Sequence, residues 1–139
     1  MIGEEMATPA QHIKQWSHNR KFAKTIDRSF PDWQINVIFY AALHAVDAAL
    51  ATLGVCVNNH TERNDQVKTN SAFAQIRTQY INLYRISRVT RYDAEPAAWI
   101  PPRYLSVDDL VEDLLRPIEN NLNEIVGTAL KYAPLKLDH

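Results

Sequence analysis

The sequence predicts an all-α domain, an up-and-down bundle of four to five helices taking in residues 1–139. Three observations carry that expectation. Only three glycines occur in the whole chain. The apolar–polar alternation of a half-buried strand nowhere persists, and helix start signals recur along the sequence. The length suits one domain that buries a core without staples. A hydrophobic share of 46% with 22% charged residues is that of a globular chain rather than a disordered one.

The first helix is expected at Thr8-Pro9-Ala10-Gln11, which offers a capping Thr, a Pro at the first helical position and a Gln at the third. It should run to about Arg28. Ser29-Phe30-Pro31-Asp32 repeats that logic and opens a second helix, which stops at Gly54, a C-terminal cap. Asn58-Asn59-His60-Thr61 is a polar turn. Asn59 or Thr61 caps a third helical region, broken near Asn70-Ser71 and resumed to about Tyr92. Three prolines between Asp93 and Leu105 exclude regular helix there, and Trp99 and Ile100 suggest a loop that packs back. Ser106-Val107-Asp108-Asp109 reads as a capping box for a last helix reaching about Tyr132. Pro117 should kink that helix without ending it, because Leu114, Ile118, Leu122, Ile125 and Val126 keep the apolar spacing.

A formal net charge of −1 gives no general pull toward nucleic acid or anionic lipid, so such binding would need a local patch. The one cysteine, Cys56, excludes an internal disulfide and fits a reducing, cytoplasmic setting; its place after an apolar helix end suggests a small buried residue. The acidic N-terminus does not look like a secretory signal. Val37 to Val57 is long and apolar enough to suggest a membrane span, but it carries His44 and Asp47. An Asp at mid-membrane costs roughly 2.5–3.5 kcal/mol, which a run of alanines barely offsets. A buried central helix, with no membrane partner, is the better account.

On a helical wheel of the second helix, Ile35, Phe39, Ala42, Val46, Leu50 and Leu53 form a core side. Trp33, Tyr40, His44 and Asp47 lie roughly opposite. His44 and Asp47 are three apart and share a face, so burial requires a partner: either a satisfied structural pair or a polar seam opening onto a site. Arg63, Arg88 or Arg91 are the expected partners. In the third region Phe73, Ile76, Tyr80 and Leu83 are core. Arg77, Arg85, Arg88 and Arg91 border that face, with Tyr80, Tyr84 and Tyr92 beside them. Guanidiniums next to aromatics suit phosphate and base contacts. They equally suit ion pairs to Asp47 or to Asp108, Asp109, Glu112 and Asp113. His60-Thr61-Glu62-Arg63-Asn64 sits at a helix N-terminus, where His60 is a candidate acid/base and Arg63 a candidate phosphate clamp. No paired-cysteine or His-Glu-x-x-His metal pattern, phosphate loop or dinucleotide turn occurs, so neither metal nor cofactor is expected. His12 and His18 are expected at the surface. The apolar groups of the first helix (Ile13, Trp16, Phe22, Ile26) and of the proline-rich loop (Trp99, Ile100, Tyr104) suggest a homodimer.

Taken in order, Pro31-Asp32-Trp33, Phe39 to Ala48, His60 to Asn64 and Leu83-Tyr84-x-x-Ser87-Arg88-x-x-Arg91-Tyr92 resemble the HEPN superfamily, the higher eukaryote and prokaryote nucleotide-binding domain, over about residues 10 to 130. The resemblance implies a helical bundle, commonly dimeric, in RNA cleavage, nucleotide binding or toxin–antitoxin defence. A separate antitoxin-like partner, such as a nucleotidyltransferase, goes with that last role. Ribonuclease members carry an Arg followed some four to six residues later by His. This chain has no such pair and offers instead His60-x-x-Arg63. The implied site comprises His60 and Arg63 as catalytic candidates, with His44, Asp47, Asn64, Arg77, Arg88, Arg91 and Tyr92 contacting RNA or nucleotide.

Overall fold

A computed structural model describes residues 7–92, 100–127 and 130. It is an all-α bundle: α1 (Pro9–Thr25), α2 (Pro31–Thr52), α3 (His60–Thr69), α4 (Arg77–Tyr92), a short α5 (Val107–Leu110) and α6 (Arg116–Val126). No strand occurs among the described residues. Residues 93–99 of the expected loop, with Trp99, and the expected helix end near Tyr132 lie outside the described residues, while Pro102–Leu105 forms a single 3-10 turn.

The caps explain most boundaries. Thr8 and Gln11 close a reciprocal capping box, with Gln11 N–H donating to Thr8 Oγ1 at 3.1 Å and Thr8 N–H to Gln11 Oε1 at 2.8 Å. At the far end of α2, Gly54 takes φ +76°, which favours glycine. That bend lets Gly54 N–H reach the Ala51 carbonyl and Val55 N–H reach that of Leu50, the two bonds of a Schellman motif. Asn59 caps α3 by accepting from Glu62 N–H at 2.9 Å. Two expected caps do not form. Ser29 gives its backbone N–H and its hydroxyl to Asp27 instead, leaving Phe30 at the start of α2 with no side-chain cap. Ser106 precedes α5 without a capping bond. Pro117 does not kink a continuous α-helix: Val111–Leu115 forms a π-helical turn, and Pro117 falls in the first turn of α6 behind it. A proline has no N–H to give, and the wider turn accommodates that gap.

Helix α2 is the axis of the bundle, with 14 of its 22 residues buried. It packs on α1, α4 and α6. By length and composition it could cross a membrane, yet 72% of its most apolar window is buried inside the bundle. The core joins Trp16, Ile35, Phe39, Phe73, Tyr80, Leu83, Leu115 and Ile118. Leu53, expected in that core, is exposed beyond the helix end, and so is Cys56. Trp16 and Ile100 are buried rather than offered to a partner, whereas Phe22 is exposed.

The core also contains a charge cluster that no local pattern announces. Glu119, wholly buried, accepts from Trp16 Nε1 at 2.9 Å and from Arg20 Nη2 at 2.7 Å, with Arg20 Nε bonded to its other oxygen. Arg116 lies 3.6 Å away one turn earlier. This cluster ties α1 to α6 across 99 residues of sequence.

Candidate polar site between α1, α2, α3 and α4

Asp47 fulfils the expectation placed on it. It is buried at 8% exposure and takes a two-pronged ion pair from Arg63, Nε to Oδ1 at 2.7 Å and Nη2 to Oδ2 at 3.1 Å. Arg63 stands one turn into α3 from its Asn59 cap and reaches Asp47 on α2 from there. The burial of Arg63 works against its charge, and its bonds to Asp47 restore it, leaving it firmly cationic. With two of three nitrogens committed to Asp47, Arg63 is held as an internal partner instead of a phosphate clamp. Its remaining nitrogen Nη1 stands 3.4 Å from His60 Nδ1. A guanidinium has only donors, so Nδ1 must accept and the neutral ring carries its proton on Nε2. Desolvation first, then the charges of Arg63, Arg91 and Arg88, hold His60 below the usual histidine range. It is neutral at pH 7 and presents an N–H donor.

Around His60 stand the rings of Tyr84, 5.5 Å away between centroids, and of Phe39 at 5.9 Å. Arg91 stacks over Phe39 at 5.3 Å and Tyr92 at 5.4 Å, and donates to the Tyr40 hydroxyl at 2.8 Å. Arg88 stacks over Tyr84 and Tyr92 and donates to Tyr84 Oη at 3.3 Å. Among the described residues no carboxylate pairs with Arg88 or Arg91. The acidic start of the last helix is used elsewhere: Asp108 meets Arg28, while Asp109 and Asp113 meet Arg103. Tyr92 is 76% exposed, so an open aromatic face accompanies the two cations.

The other expected members separate from this cluster. Arg77 turns away and donates to the carbonyls of Val67 (2.8 Å) and Asn70 (3.4 Å), capping the C-terminus of α3. Arg85 lines a different groove of about 310 Å³ with Asn82, Ile86, Val89, Pro101 and Tyr104. Asn64 is buried, and its Oδ1 has no hydrogen-bond partner among the described residues.

His44, expected to be buried with an arginine among its partners, is only half-buried and meets a residue expected at the surface. His12, from α1, is half-buried, and its Nδ1 lies 3.2 Å from Nδ1 of His44. One ring must donate and the other accept. Desolvation lowers both, and for His44 the neighbouring His12 lowers it further, so both rings are neutral at pH 7. His18, by contrast, is exposed as expected. No signal of spacing connects residues 12 and 44; only the pairing of α1 with α2 does.

Compared with family profiles, curated proteins and solved structures, the chain matches none.

Proposed function

We propose that this domain binds single-stranded RNA or a nucleotide on the face formed by His60, Arg88, Arg91, Tyr40, Tyr84 and Tyr92, in keeping with its resemblance to the HEPN superfamily. One observation carries this reading: two arginines without carboxylate partners among the described residues are held on tyrosine rings around a histidine N–H donor. Cations fixed against aromatic faces suit phosphate, and exposed Tyr92 offers a base a ring to stack on. His60 serves binding better than catalysis at neutral pH, because Arg63 lies at the Nδ1 lone pair and leaves the ring its Nε2–H as a donor.

Fluorescence anisotropy with a labelled single strand tests this. Affinity should fall with salt, and Arg88→Ala or Arg91→Ala should each reduce the log–log slope by about 0.7, the value per phosphate on single strands. No binding at low salt would remove the proposal.

The pH dependence has a definite sign. His60 is held below its ordinary 6.5. Affinity should therefore stay flat from pH 8 to 6.5 and rise only below, where Nδ1 is protonated at the expense of its contact with Arg63 and the ring gains a positive charge toward phosphate. His60→Ala should abolish that rise without changing the affinity at pH 8 by more than about tenfold, the scale of one neutral hydrogen bond. RNA cleavage lost in His60→Ala would instead assign the histidine an acid/base role.

A second reading rests on Phe22, Phe30 and Trp33, exposed at 49%, 54% and 60% on either side of the α1–α2 connection. Such a group suits a second copy of this chain or an antitoxin-like partner. Light scattering at micromolar concentration separates the homodimer from the monomer.

A further inference from the structure

The geometry points to a zinc-type metal site at His12, His44 and Asp47, formed where α1 crosses α2. One ligand atom from each of the three lies within 4.8 Å of the others, and the two Nδ1 atoms are 3.2 Å apart. With Zn–N bonds near 2.0–2.1 Å, that separation gives an N–Zn–N angle of about 100°, close to tetrahedral. The three ligand atoms, all within 4.8 Å of one another, need to close by about 1.5 Å at most to reach a tetrahedral edge of about 3.3 Å. His44 and Asp47, three apart on one helix, project from one face, as paired ligands on bundle helices do.

The chemistry of the donors selects the ion. Two imidazole nitrogens and one carboxylate suit Zn²⁺ and exclude a good Mg²⁺ or Ca²⁺ site, which wants oxygens throughout. Both rings must offer Nδ1 lone pairs. One does so already, and the other needs only to move its proton from Nδ1 to its own Nε2, with no proton lost. Half-burial leaves the ring edges reachable from solvent. Arg63 is compatible with the ion as well: each Asp47 oxygen keeps a lone pair beyond its bond to the guanidinium, which then orients the ligand carboxylate from outside. Three protein ligands leave the fourth position for water or an anion. The uncompensated positive charge of metal plus Arg63 favours the anion.

The test uses the full chain carrying Cys56→Ser, since Cys56 is an exposed thiol that would bind zinc by itself. Zn²⁺ is titrated against a chromophoric chelator, with thermal unfolding measured alongside. One equivalent should bind and raise Tm, and Co²⁺ in its place should give the intense visible absorption of a tetrahedral site. His12→Ala and His44→Ala should each weaken Zn²⁺ by more than about tenfold and remove the Tm rise, while His60→Ala leaves both unchanged. His12→Gln, which can still hydrogen-bond, covers the case in which His12→Ala does not fold. Absence of stoichiometric binding, unchanged affinity in both His12 and His44 variants, or an equal response to millimolar Mg²⁺ would each overturn the site. None of these readouts depends on RNA, so the site and the proposed binding face stand or fall separately.

Discussion

Glu119→Ala is expected to destabilise the fold by roughly 3–5 kcal/mol, the cost of removing one member of a buried charge pair. Against a total of about 5–15 kcal/mol for a domain, that is enough to unfold a large part of the population. The reason is specific. Arg20 is 4% exposed and Glu119 wholly buried, and the carboxylate is the acceptor shared by Arg20 and Trp16. Taking it away leaves a cation and an indole N–H in the core without that acceptor. Urea denaturation followed by circular dichroism checks this, and a loss below about 1 kcal/mol would contradict it. Glu119→Gln should fall between, since an amide oxygen can still accept from one donor. The double substitution Arg20→Met, Glu119→Leu should recover much of the loss, because apolar side chains of similar volume often replace a buried pair with little penalty.

Asp47→Ala should have an effect of the same order, again roughly 3–5 kcal/mol, for the same reason. The side chains of Arg63 and Asp47 are 10% and 9% exposed, and both oxygens are bonded. Arg63→Ala should cost a similar amount. The double variant should cost clearly less than the two added together, since the second substitution removes a charge already stranded by the first. Arg28 and Asp108 provide the contrast: their side chains are 51% and 52% exposed at 3.4 Å, and breaking that pair should change stability by less than about 1 kcal/mol. If all of these variants lost equal stability, burial would not be what gives the Asp47 pair its weight.

What the sequence by itself determined is local. The start of α1 at Pro9, the stop of α2 at Gly54 and the cap at Asn59 are written within four residues each, because a cap needs one side chain and one nearby backbone group. The burial of Asp47 was legible too: it sits mid-helix in an alanine-rich run, where a carboxylate demands a cation, and Arg63 was among the named candidates. Most of the rest depended on how helices rotate and slide against one another. His12 meets His44 across 32 residues, Arg20 meets Glu119 across 99, and Arg91 meets Tyr40 across 51. Helical periodicity says which side of a helix is apolar, but that stripe is about 100° wide or more. Within it, a shift of one residue in register decides whether a charge finds its partner or a neighbour. The same latitude took Arg77 to the end of α3, put Arg85 in a different groove from Arg88, and left Cys56 exposed past the last turn of α2. Caps act over one turn, and the sequence carries them openly; pairings between helices are settled only when whole faces pack, and that only the tertiary structure decides.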